Sequence, residues 1–255
     1  MGCTEFKDGA IIKGKDLRGC TLCKILSEHM EMREFQYKSG MKVDVRQFAR
    51  KGSCKAGLHF FVVQDAGKFL DYGTRLAVVN VPDDEDVYVN GGKFCTHRLE
   101  IMDLMPLSSA ATWKYLAANG VDITADAGRT VVEAAAEGYL DVVKYLHENG
   151  VDISIYNNYA VRWAATEGHL AVVKYLYENG ADITACDNEA VINAAENGHL
   201  NVVKYLHANG ADIMAHNNAA VRWAKAKGHV DVVKFLCENG ADITAKDDTD
   251  SYLDW

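Results

Sequence analysis

Tyr115-Leu116-Ala117-Ala118-Asn119-Gly120 returns as Tyr145–Gly150, Tyr175–Gly180, Tyr205–Gly210 and Phe235–Gly240, each time 30 residues further on. A fixed period over so much of a chain means one supersecondary unit, copied and stacked. A unit of this size cannot bury its apolar face alone, so neighbouring copies must share a continuous core. Such a stack presents long rows of side chains to solvent instead of one closed pocket. That favours a binding scaffold over an enzyme.

Within one copy, Val161, Ala164 and Ala165 recur at i, i+3 and i+4, the spacing of a single buried helical stripe. Gly168 ends this run in the manner of a left-handed cap. Leu170, Val173 and Leu176 line one side of a second helix, with Val172 and Tyr175 beside them, until Asn179-Gly180 stops it. Ala181-Asp182-Ile183 then leads as an extended loop into the next copy. The result is a helical hairpin with a connecting finger. The stretch from Gly168-His169-Leu170 to Gly180-Ala181-Asp182-Ile183-Thr184-Ala185 resembles the ankyrin repeat almost letter for letter.

Two departures from that family pattern stand out. An ankyrin repeat has about 33 residues, and these copies have 30. The gap falls between Asn188 and Glu189, where an Asp-Gly turn would close a β-hairpin, so the fingers are expected to be stubby. The helix-opening Thr-Pro-Leu-His is replaced by Tyr159-Ala160-Val161-Arg162 or Glu189-Ala190-Val191-Ile192, and without Pro each first helix starts less sharply. The 30-residue variant looks like the ankyrin arrays of giant DNA viruses of amoebae, the mimivirus group. The expected fold is an α+β N-terminal domain (1–98) followed by an all-α ankyrin-repeat solenoid of helix-turn-helix units (99–255). The solenoid divides into a half unit 99–120, full units 121–150, 151–180, 181–210 and 211–240, and a partial unit 241–255. In the last of these Asp250-Ser251 make a normally buried face polar, and Tyr252, Leu253 or Trp255 is expected to cover the end of the array.

The composition, 49% hydrophobic and 25% charged, is that of a globular protein. No apolar run approaches the ~18 residues that cross a bilayer, and the first thirty residues lack a secretory pattern; no membrane partner is expected. Met1-Gly2-Cys3-Thr4 begins like a myristoylation signal, but Phe6 stands where Ser or Thr is needed. Seven scattered cysteines, among them Cys186 and Cys237 inside repeats, suit a reducing compartment such as the cytoplasm. Residues 1–110 carry 16 Lys and Arg against 15 Asp and Glu, whereas residues 111–255 carry 11 against 21. An acidic array is repelled by phosphate backbones, which argues against nucleic acid as partner.

Ahead of the repeats, Ile25 to Glu34 reads as a modest helix, and Leu58–Val63, Arg75–Val81 and Asp86–Val89 read as strands. Pro82-Asp83-Asp84 supplies a turn, and Gln64 to Leu70 a short helix. Phe35-Gln36-Tyr37, Gly40, Gly52-Ser53-Cys54, Gly57-Leu58, Phe69–Gly73 and Val87-Tyr88-Val89 resemble the module preceding many mimivirus-type arrays. That resemblance implies ancestry and leaves function open. Cys54 with His59 has the chemistry of a nucleophile and base, but they share one loop and strand with no third orienting residue. Cys20-Thr21-Leu22-Cys23 with Cys54, Cys95, His29 or His97 offers four zinc ligands, but no second compact pair follows. No phosphate-binding glycine loop is present. The expectation is no catalytic site, no metal and no cofactor.

Positions that change between copies are those packing leaves open to a partner. One runs Glu133, Trp163, Asn193, Trp223; the residue before it runs Val132, Arg162, Ile192, Arg222. Arg-Trp therefore recurs every 60 residues, and Trp and Arg are common interface hot spots. By the ankyrin resemblance this first-helix position faces the concave binding surface. The alternative, left open by the sequence, is that each Trp packs flat on the next first helix with Arg covering its ring. Finger tips vary too, and Tyr156, Tyr159 and His216 there are further contact candidates. His169, His199 and His229 follow the helix-ending Gly, where the resemblance implies a structural role.

These residues describe a protein–protein interaction scaffold engaging a host or viral protein in the cytoplasm of an infected cell. The other reading is an enzyme whose α+β domain is catalytic and whose repeats grip the substrate.

Overall fold

A computed structural model describes residues 6–26, 31–32, 35–36, 38–44, 58–124 and 127–245. The chain divides into two compact domains, Met1–Ala125 and Asp126–Trp255.

The first domain is built on an eight-stranded sheet in the order β1-β8-β9-β6-β2-β7-β10-β5. The strands are β1 (Ile11–Lys13), β2 (Leu22–Leu26), β5 (Lys42–Asp44), β6 (Leu58–Val62), β7 (Arg75–Asn80), β8 (Asp86–Asn90), β9 (Lys93–Thr96) and β10 (Arg98–Pro106); β3 (Glu31–Met32) and β4 (Phe35–Gln36) pair separately. Every strand pair is antiparallel. Leu22 stands opposite both Val62 and Val79, and these residues join Leu58, Phe60, Val87, Phe94, Leu99 and Ile101 in one core. The strands read at 58–63, 75–81 and 86–89 are β6, β7 and β8. The turn at Pro82 is closed by the Glu85 amide donating to the Pro82 carbonyl at 3.0 Å. The short helix expected after β6 is a 3-10 helix, Val63–Tyr72.

Three expectations are corrected. The helix read over 25–34 is strand at both of its described parts, β2 and β3. Leu22 and Leu26 bury toward the core while Cys23, pointing to the opposite face, is also fully buried. A short run covered on both sides has no periodicity to separate strand from helix. The half unit expected over 99–120 opens as β10, where Leu99 and Ile101 bury between β7 and β5. Only its later part is helical, as α1 (Ala110–Ala118), and this helix belongs to the first domain. The Thr112 hydroxyl donates to the Pro106 carbonyl at 2.6 Å and the Trp113 indole to the Leu107 carbonyl at 2.8 Å. Cys20 and Cys95 are disulfide-bonded, whereas Cys23, Cys186 and Cys237 are free. The expectation that the scattered cysteines suit a reducing compartment therefore does not hold for Cys20 and Cys95.

The second domain repeats a helix pair: α2 (Ala127–Ala136) with α3 (Leu140–Glu148), α4 (Ile155–Thr166) with α5 (Leu170–Glu178), α6 (Ala185–Glu196) with α7 (Leu200–Ala208), and α8 (Ala215–Lys227) with α9 (Val230–Glu238). Both helices of a repeat end alike. Gly168 and Gly180 take φ of 80° and 98°, and the next amides, of His169 and Ala181, reach back to Ala164 and Leu176 at 2.8 and 2.9 Å, the Schellman arrangement. The Asn179 amide also donates to the Tyr175 carbonyl at 2.7 Å. Asn-Gly recurs because one side chain and one left-handed backbone together close the helix.

Ala160, Ala164 and Ala165 of α4 and Ala190, Ala194 and Ala195 of α6 are fully buried, and these neighbouring first helices pack on each other. Such small side chains let those helices approach closely. The second helices, carrying Val, Leu and Tyr, pack against one another much less than the first helices do.

Among the described residues the fingers contain no strand, as the missing three residues predict. The chain reverses instead through three consecutive left-handed residues: 156–158, 186–188 and 216–218. Each such residue costs roughly 1–2 kcal/mol, least for Asn and Asp. The third is always Asn, and its side-chain oxygen accepts the amide of an Asp one repeat later: Asn158 from Asp182 at 2.9 Å, Asn188 from Asp212 at 2.8 Å, Asn218 from Asp242 at 2.9 Å. The proposed end cap at 249–255 lies outside the described residues.

Candidate functional site

Arg162 organises the first-helix row. Its guanidinium lies 4.7 Å from the Tyr159 ring centroid and bonds the Glu189 carboxylate of the next repeat at 2.6 Å. The edge of Tyr159 meets Trp163 at 5.8 Å, near perpendicular. Arg162 thus stacks on Tyr159, and Trp163 keeps 36% of its surface in solvent. Arg222 turns to the finger instead, donating to the Asn217 carbonyl at 3.1 Å and the His216 carbonyl at 3.4 Å, and Trp223 is 43% exposed. Tyr156 is more exposed still, at 60%.

Arg129, Val132, Tyr156, Tyr159 and Arg162 line an open groove of about 480 Å³. Next to Arg129, Gly128 lets the following repeat come close: a Cβ there would lie 2.5 Å from the Ile155 side chain and 3.0 Å from the Tyr156 ring. Glu133 pairs with Arg129 at 2.8 Å, and Asn193 donates to Glu189 at 3.4 Å. His216 lies 3.7 Å from Asp187. Of the expected contact residues, Tyr156, Tyr159 and Arg162 line the groove; Glu133 and Trp163 adjoin it through Arg129 and Tyr159; Asn193, Arg222 and Trp223 occupy the equivalent places on later first helices, and His216 lies in a finger.

Arg129, which lines the groove, and Glu189, which pairs with Arg162, were missed, as was the exposed Met214. Met214 had a signal. It occupies the place held elsewhere by Thr124, Ser154, Thr184 and Thr244, whose hydroxyls bond the Asp two residues before at 2.6–2.7 Å. Met cannot, and it is 51% exposed.

Other repeated residues are occupied by packing. Lys144, Lys174 and Lys204 sit over the next repeat's Tyr175, Tyr205 and Phe235 at 5.4–5.7 Å. The His169 imidazole covers Gly138, where a Cβ would fall 2.6 Å from Nδ1; His199 and His229 repeat the contact.

In the first domain, Cys54 and His29 lie outside the described residues. His59 is exposed on β6, its imidazole held below the usual value by burial, then by Lys24 and Lys93. Burial pushes the Cys23 thiol up to about 12, the reverse of what a nucleophile or metal ligand needs. Cys20 and Cys95 are consumed in disulfides. Lys24 is pushed down to about 8 by burial, its ammonium donating to the His59 carbonyl at 2.9 Å. Among the described residues no three His, Cys, Asp or Glu gather as metal ligands, and no helix is long and apolar enough to cross a membrane.

Family models for ankyrin repeats match residues 127–158 as one repeat and 161–247 as three copies. A protein of Acanthamoeba polyphaga mimivirus named as an ankyrin repeat protein is 31% identical over 118 residues, covering 42% of this chain and 38% of the relative. An uncharacterized protein of the same virus is 30% identical over 131 residues, 47% of this chain and 92% of its own length. The chain thus spans little more than a third of the first relative and nearly all of the second.

Proposed function

This chain belongs to the ankyrin-repeat family, and on that footing we propose that its first-helix row is the face that engages a host or viral protein in an infected cell. Ankyrin repeats are protein-interaction modules; the identity of the partner and the use of this particular face are our reading. The observation that carries it is the exposure of Trp163 and Trp223, the bulkiest apolar side chains of the array, at equivalent positions where packing makes no demand for them. Desolvating such side chains against a partner is a large source of affinity. We read the protein as non-catalytic, its first domain serving as a folded module ahead of the array.

The test is Trp163→Ala and Trp223→Ala in the intact chain, each followed by urea denaturation and by binding to proteins captured from host lysate. Exposed hot-spot tryptophans lose about 2 kcal/mol or more of binding and little stability. Buried ones lose about 3–5 kcal/mol of stability. Intact stability with intact binding moves the site to Tyr156 and Tyr159.

A further inference from the structure

Asn193 stands between Trp163 and Trp223 at the equivalent position of the intervening first helix, and charge separates this middle repeat from its neighbours. Residues 184–197 hold Asp187, Glu189 and Glu196 and no Lys or Arg. Two of these acids are answered from adjacent repeats: Arg162 lies 2.6 Å from Glu189 and Lys227 3.6 Å from Glu196. Among the described residues Asp187 is paired with His216, 3.7 Å away. The Asp187 side chain is 84% exposed. The repeat between the two Trp therefore carries acidic side chains, Glu189 accepting from Asn193 at 3.4 Å and Asp187 in the adjoining finger.

We propose that the first-helix row binds an extended segment of its partner carrying two large apolar anchors, one on each Trp, with a Lys or Arg between them directed at Asp187. This rests on the interaction reading above and gives it a ligand chemistry. Helices stacked about 8–10 Å apart place the two Trp roughly 16–20 Å apart. An extended chain advances about 3.3 Å per residue and alternates faces. Anchors on one side of the segment then stand about six residues apart, with the basic residue two or four positions after the first. The edge-on Tyr159 widens the apolar ground beside Trp163.

The experiment is selection of phage-displayed random dodecapeptides on the intact chain, then affinity measurement of synthesised winners. Enriched sequences are expected to show two large apolar residues near that spacing with Lys or Arg between. Trp163→Ala and Trp223→Ala should each weaken such a peptide about thirtyfold or more. Asp187→Asn should weaken it about two- to fivefold and remove part of its salt dependence. Asn suits the left-handed backbone at this position (φ 56°) and already occupies it in Asn157 and Asn217, so the fold is left alone. Acidic or neutral residues between the anchors, a single anchor, indifference to Asp187→Asn, or no enrichment overturns the proposal. If such peptides still lose binding in the Trp variants, the first-helix row remains the partner face and only this chemistry falls. Indifference to both Trp variants removes the broader reading as well.

Discussion

Gly168 carries two constraints in one residue, a left-handed backbone and contact with the His199 ring of the next repeat. Gly180 carries the backbone constraint alone, since nothing lies within 4 Å of a Cβ built there. Urea denaturation should therefore separate them. Gly180→Ala is expected to cost roughly 1–2 kcal/mol, and Gly168→Ala to cost more as the imidazole is displaced. Equal losses would mean that the histidine moves aside freely. Lys24 tests a different balance. Below pH 8 both folded and unfolded chains hold its proton, and burying the charge works against the fold. Between about pH 8 and its unfolded value near 10.4, the native state releases the proton first, so the unfolded state binds more protons and stability rises with pH. Lys24→Met should stabilise the first domain at pH 7, with a gain that shrinks as pH climbs through this window. A constant difference across it would show that Lys24 titrates normally. The recurrence of Arg-Trp was legible from period alone. That Arg162 stacks on Tyr159 was not, because a rotamer choice depends on Glu189 in the next repeat.

The fingers show what a family pattern can and cannot transmit. Comparing lengths locates the deletion and predicts the missing hairpin, and the helix pairs follow from alanine and valine spacing. Three left-handed residues in a row do not follow, for Tyr156 and Cys186 have no preference for that backbone. The conformation is imposed from outside the finger, by the Asn oxygen that captures the next repeat's Asp amide. Asn188→Ala should lose this bond and add backbone strain, costing about 1–3 kcal/mol. Asn188→Gly should lose the bond but relieve the backbone, and so cost less by urea denaturation. A Gly variant as damaged as the Ala variant would leave the hydrogen bond as the whole effect. The same limit explains β2. Its apolar run is covered on both faces, so no stripe announces it, and its identity comes from β6 and β7 lying on either side.

Across the whole molecule, two cores built on different principles share one chain. Cooperative unfolding belongs to a core, so heat or urea should produce two transitions, one for sheet and one for helix. The disulfides of Cys20 and Cys95 lie in the first domain, and removing a native disulfide costs about 2–5 kcal/mol. A reductant should therefore lower the sheet transition and leave the helical one in place, as circular dichroism would record. A shift in both would show that the domains unfold together. The contacts joining one repeat to the next, histidine over glycine, lysine over aromatic ring, Asn oxygen to Asp amide, recur at one register. The gene can thus gain or lose 90 nucleotides at a stroke without creating a foreign junction. Excising 181–210 would seat His229 over Gly168 and bring Trp163 and Trp223 onto adjacent helices. Such an array would accept a shorter ligand, its specificity redrawn by copy number with no point mutation at all.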